Sequence, residues 1–111
     1  MKTEHHSIAA FELIRVSGRL DTSTADELDE LVEGLKTRGV NKILFDLRQL
    51  DYISSYGIRI FAKLLKRGVE LTLAVENENV LEIFEMAGLT DALHIKKDLA
   101  ESLIEFNQAH K

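Results

Sequence analysis

Cysteine and proline are both missing from these 111 residues. Without cysteine the chain forms no disulfide and binds no zinc through thiolates, a composition that fits a reducing compartment such as the cytoplasm. Without proline, no turn rests on a preset backbone angle. Long apolar runs are absent as well, and no basic stretch followed by an apolar segment opens the sequence, so neither a membrane-inserted helix nor a signal peptide is expected. Nor is there an excess of positive charge. The net charge of −5 argues against direct binding of nucleic acid, which requires a basic footprint, and leaves proteins as the expected partners. What is present is ordinary: 45% hydrophobic and 30% charged residues, enough to bury one core over residues 1–111 and too few for a second domain.

The apolar pattern alternates between two periods. Residues 7–17 carry Ile8, Phe11, Leu13, Ile14 and Val16, which predicts one or two strands at a sheet edge around a turn near Ala9 and Ala10. Asp21, Thr22, Ser23 and Thr24 offer several caps for a helix with Ala25, Leu28, Leu31, Val32 and Leu35 on one face, ending at Gly39. A core strand is read over 43–47, and a helix starting at Ser54 runs to Lys66 and Arg67, with Gly68 as its left-handed cap. Leu71, Leu73 and Val75 predict the next strand. Asn77 or Asn79 caps a short helix with Val80, Ile83, Phe84 and Ala87, closed by Gly88. Leu93, His94 and Ile95 read as a brief strand, and Leu99, Leu103 and Phe106 as the last helix. Strands alternating with helices across short turns predict an α/β domain with four to five strands, mostly parallel but mixed, and about four helices.

The segment Asp51-Tyr52-Ile53-Ser54-Ser55-Tyr56-Gly57-Ile58-Arg59 carries the chemistry. A strand hands over to a helix through two serines. Ser54 is placed to cap the helix, and Ser55 falls near its first position, where free amides and the positive end of the helix dipole favour an anion by roughly 0.3–1 kcal/mol. Gly57 has no side chain, so another backbone can approach this turn closely. Arg59, four residues past Ser55, shares its helix face. The bland alternative is that two serines merely begin a helix.

Other chemistry is thin. His5 and His6 point to opposite sides of an extended chain and are expected to lie in a frayed terminus, not around a metal. His94 and His110 lack partners at ligand spacing. No nucleophile triad, phosphate-cradling glycine loop or isolated carboxylate pair stands out, so neither enzyme activity nor a cofactor is expected. Asp26, Glu27, Asp29 and Glu30 give the first helix an acidic outer face that serves solubility or steers a basic partner.

Three segments together resemble the STAS family, named for sulphate transporters and anti-sigma factor antagonists: Val16-Ser17-Gly18-Arg19-Leu20-Asp21-Thr22-Ser23-Thr24-Ala25, then Leu44-Phe45-Asp46-Leu47 through Ile53-Ser54-Ser55-Tyr56-Gly57-Ile58-Arg59, then Ile83-Phe84-Glu85-Met86-Ala87-Gly88-Leu89. The resemblance covers almost the whole chain and points to the stand-alone anti-sigma factor antagonists. It implies a cytoplasmic partner switch. The unmodified form binds an anti-sigma factor serine kinase and so frees the sigma factor; phosphorylation of a serine at this turn reverses the binding, and a PP2C-type phosphatase restores it. The family's Asp, phosphorylated Ser and small hydroxyl residue fall on Ser54, Ser55 and Tyr56. Ser55 and Gly57 match, whereas Ser54 and Tyr56 depart from the pattern. Ser55 is the implied phosphoacceptor and Ser54 the second candidate. The implied partner surface comprises Asp21, Thr22, Ser54, Ser55, Tyr56, Gly57 and Arg59. Asp21 has an equal claim to be a helix cap. Two alternatives share the resemblance: a subunit of a lipid-trafficking ABC transporter, and a partner switch with an output other than a sigma factor.

Overall fold

The computed structural model describes residues 1–8 and 11–108. Its order is β1 (Lys2–Ile8), β2 (Phe11–Leu20), α1 (Ala25–Thr37), β3 (Lys42–Asp46), β4 (Leu50–Ile53), α2 (Ser55–Lys66), β5 (Glu70–Ala74), α3 (Glu78–Met86), β6 (Ile95–Lys96) and α4 (Leu99–Gln108). The sheet runs β1-β2-β3-β5-β6, and β4 pairs with β2. All pairings are parallel except that of β1 with β2. The expected mixed, mostly parallel sheet with four helices is present, and it holds six strands, more than the four to five read from the sequence.

Alternation along the strands sorts the core onto two faces. Ile14, Val16, Ile43, Phe45, Leu71 and Leu73 face α1, α2 and α3 in the main core, while Phe11, Leu13 and Leu44 face the other way and meet Leu99 and Leu103 of α4. Phe61 of α2 sits at the centre of the main core. Its ring meets Phe45 edge-on at 4.9 Å and Phe84 at 5.5 Å, geometries that the ring quadrupoles favour.

Four local expectations change. β4 went unread because Asp51 and Tyr52 both face solvent between buried Leu50 and Ile53, which breaks the period of two. The last strand is displaced to Ile95–Lys96, since Leu93 and His94 lie in a turn and His94 takes φ +49°, outside the strand region. The N-terminus is not frayed: Lys2 through Ile8 pair with β2, and His5 Nδ1 lies 3.1 Å from Glu12 Oε1, a nearly buried carboxylate that also accepts from Ser7 Oγ at 2.8 Å. The glycine turn at Gly57 is packed from inside, as described below. The turn expected at Ala9 and Ala10, the side chain of Phe106 and His110 lie outside the described residues.

β2 organises the site. Its first half, Glu12–Arg15, pairs with β3; beyond it, Gly18, Arg19 and Leu20 pair with Leu50, Tyr52 and Ile53 of β4, with a register shift after Gly18. Gly18 has φ +85°, a backbone state that glycine adopts without strain. The chain therefore leaves β2 and β4 side by side, into α1 through Asp21 and into α2 through Ser54.

Candidate functional site

The serine turn is a capped helix start. Ser54 is extended (φ −91°, ψ 169°), and its Oγ accepts from the Gly57 amide at 3.1 Å, as the sequence predicts. Its own amide donates to the Leu20 carbonyl at 2.9 Å, tying the turn to the end of β2. Ser55 is the first residue of α2 and is exposed. Its hydroxyl has no hydrogen-bond partner among the described residues, and neither do the Ser55 and Tyr56 amides at the start of the helix.

Gly57 is buried, which corrects the expectation that its missing side chain opens the turn to another protein. A Cβ at this position would lie 2.9 Å from Leu20 Cγ and 3.0 Å from both Ile53 Cγ1 and the Leu20 carbonyl oxygen. The close approach is made by the protein's own β2 and β4.

Asp21 is a turn former. Its Oδ1 accepts from the Ser23 amide at 3.0 Å, the Ser23 hydroxyl at 2.7 Å and the Thr24 amide at 3.2 Å, and its own amide donates to Thr24 Oγ1 at 2.9 Å. The Ser23 hydroxyl above all, with Thr24 adding to it against a smaller opposing effect of desolvation, holds the carboxyl below the usual aspartate value. Its other oxygen is 3.7 Å from Arg19 Nε, and Arg19 lies over the Tyr52 ring at 4.3 Å. Thr22 is exposed at the tip of the same turn.

Tyr56 donates its hydroxyl to Asp26 Oδ1 of α1 at 3.1 Å. The bond to Asp26, reinforced by that carboxylate's charge, raises the phenol above its ordinary pKa. Arg59 is exposed and makes no ion pair among the described residues; with Asp29, Tyr56, Ile60 and Lys63 it lines a shallow hollow of about 150 Å³ between α1 and α2. Part of the acidic face of α1 is engaged inside the molecule, Asp26 by Tyr56 and Asp29 by Lys63, while Glu27 and Glu30 stay exposed. Lys63 bridges Asp29 and Glu33, and Arg67 also pairs with Glu33.

Structure thus brings Asp21, Thr22, Ser54 and Ser55 to one edge through the parallel pairing of β2 with β4, sets Tyr56 and Arg59 along the next turn, and turns Gly57 inward. It adds two residues that sequence reasoning passed over. Tyr52 is 40% exposed beside the serines and Met86 is 77% exposed on α3, both at a groove between β4 and α3. Met86 stands in the third segment of the family resemblance, and its place off the apolar face set by Val80, Ile83 and Phe84 is the sequence signal for its exposure.

Residues 2–102 match the family model described as the STAS domain. This chain belongs to the STAS family. Among STAS proteins, the anti-sigma-B factor antagonist of Staphylococcus aureus is 29% identical over 91 residues, which cover 78% of this chain and 84% of that protein. The crystal structure of an anti-sigma factor antagonist from Mycobacterium paratuberculosis superposes with a TM-score of 0.87 at 16% identity, covering 96% of this chain and 93% of that one. The Bacillus cell fate determinant SpoIIAA in its phosphorylated form gives 0.70 at 15% identity over 94% of this chain and 97% of that one, a likeness of fold. No described helix is long and apolar enough to cross a membrane.

Proposed function

We propose that this STAS domain is an anti-sigma factor antagonist acting in the cytoplasm: its unphosphorylated form binds an anti-sigma factor kinase and releases the sigma factor, and phosphorylation of Ser55 reverses the binding. It acts by binding and is not an enzyme. The observation that carries the reading is the exposed Ser55 hydroxyl at the first position of α2, without a hydrogen-bond partner among the described residues and beside helix amides that likewise have none there. Ser54 is committed to the cap, which favours Ser55 as the acceptor. The similarity to anti-sigma-B factor antagonists supports the partner class.

A phosphate on Ser55 brings a charge of about −1.5 to −2 and three acceptor oxygens. The N-terminus of α2 stabilises that charge, and Arg59 is one turn along the same face to pair with it. On the outside, the charge meets whatever covers the turn. A partner with acidic or apolar contacts there is expelled by repulsion or by the cost of desolvating the phosphate, without refolding of the domain. A separate PP2C-type phosphatase resets the switch.

The test mixes wild-type protein, Ser55→Ala and Ser55→Asp with the purified anti-sigma factor kinases of the same genome and ATP, measuring binding by calorimetry and phosphosites by mass spectrometry. Wild type and Ser55→Ala are expected to bind, Ser55→Asp to bind roughly tenfold or more weakly, and phosphate to map to Ser55. Equal binding by all three with no phosphate on either serine overturns the switch.

A further inference from the structure

Resting on that reading, we propose that the groove between β4 and α3 receives an aliphatic side chain flanked by basic residues from the same anti-sigma factor that covers the serine turn. Ile53 and Val80 are buried in its floor, Tyr52 and Met86 are its exposed lips, and its volume is about 250 Å³. That is below the roughly 300–1,000 Å³ of small-molecule pockets. It suits a protruding side chain better than a free ligand. Methionine is flexible and polarizable and adapts to the shape of what it meets, and Met86 at 77% exposure is not needed to fill the core.

Charge selects the occupant. Asp51 and Glu82 rim the groove, and Glu78 and Glu85 lie on the same helix. None of these four carboxylates is in an ion pair among the described residues, in contrast to Asp29 and Glu33 of α1, which α2 neutralises. An apolar slot with unpaid negative charge around it complements an apolar residue between lysines or arginines. Position selects the partner. Asp51, Tyr52 and Ile53 run directly into Ser54 and Ser55, so a protein seated on the serine turn extends over the groove without a break. Arg19 over the Tyr52 ring holds the lip in place.

The experiment measures the affinity of the anti-sigma factor kinase for wild type, Met86→Leu, Met86→Lys, Glu82→Lys and Ser55→Asp, each over a range of salt concentration, with sedimentation of every variant alone. Met86→Lys and Glu82→Lys are expected to raise Kd roughly tenfold or more, Met86→Leu to stay within about twofold, and Glu82→Lys to lessen the loss of affinity with salt. All substitutions are at solvent-facing positions, where a change of side chain usually alters stability by about 0.5 kcal/mol or less. Wild-type affinity in both lysine variants, with Ser55→Asp still weakened, overturns the groove and leaves the serine switch standing. No binding of wild type by any anti-sigma factor kinase overturns both. A wild-type dimer dispersed by Met86→Lys gives the groove to a second copy of the chain and overturns the proposal.

Discussion

The Ser54 amide donates to the Leu20 carbonyl at 2.9 Å, and this bond joins the end of β2 to the start of α2. Two adjacent serines consequently differ in kind. Ser54 is held at both its amide and its hydroxyl, whereas Ser55 is exposed and hydrogen-bonds through neither group among the described residues.

Ser54→Ala removes the acceptor for the Gly57 amide and is expected to destabilise the fold by about 0.5–2 kcal/mol, and Ser55→Ala by less than about 0.5 kcal/mol. Urea denaturation of the two variants measures the difference. Equal losses would mean that Ser54 does not cap the helix.

Gly57→Ala forces a methyl to within 3.0 Å of the Leu20 carbonyl oxygen and into its side chain. Because backbone is one of the obstacles, α2 must shift from β2 and β4, at a cost of about 1–3 kcal/mol. Thermal unfolding should report a lower Tm, and binding should weaken as the serines move. An unchanged Tm would contradict the packing.

Asp46, 1% exposed, accepts from Arg15 Nε at 2.8 Å and from Arg48 Nε at 2.8 Å and Nη2 at 3.0 Å. Burial pushes its pKa up, but the hydrogen bonds from Arg48 and then Arg15 outweigh this and hold the carboxyl below the ordinary value. A carboxylate lowered in the folded state contributes stability above its unfolded pKa of about 3.9. That stability disappears as the pH falls through the folded value. Asp46→Asn should cost roughly 1–3 kcal/mol at neutral pH, moderated because both arginines reach water, and the gap to wild type should narrow below about pH 4. Denaturation at a series of pH values checks it, and a gap independent of pH would refute it.

Tyr56 should ionise at higher pH than a free tyrosine because its hydroxyl donates to Asp26. The phenol favoured by folding stabilises below the unfolded tyrosine value, and that contribution is lost as the pH rises through the folded one. Absorbance titration of Asp26→Asn is expected to move the transition down, with Tyr56→Phe identifying the signal. A transition that stays put in Asp26→Asn would rule out the contact as its cause.

Much of this was legible locally. Capping by Ser54 follows from a short hydroxyl residue before a helical period, and the α1 face from apolar residues three and four apart. β4 was not legible, because a short strand with Asp51 and Tyr52 both facing out carries no alternation. Nor were the pairs of α1 with α2, since Asp29 and Lys63 are far apart in sequence. Read alone, the acidic run of α1 is one free surface; in the folded molecule Asp29 is paired with Lys63, Glu27 and Glu30 stay exposed, and Asp51, Glu78, Glu82 and Glu85 add a second acidic surface.

The sequence by itself determined the four helices, the caps at Ser54 and Asn77 and the pair of serines at a helix start, since those depend on neighbours within a turn or two of backbone. Tertiary structure decided what the serines sit beside and which groups stay free. The parallel register of Leu20 with Ile53 put Asp21 at the serine edge, Gly57 met the protein's own core, and Met86 with Tyr52 opened a groove next to Ser55. Those outcomes turn on distances between segments remote in the chain, which local periodicity does not encode.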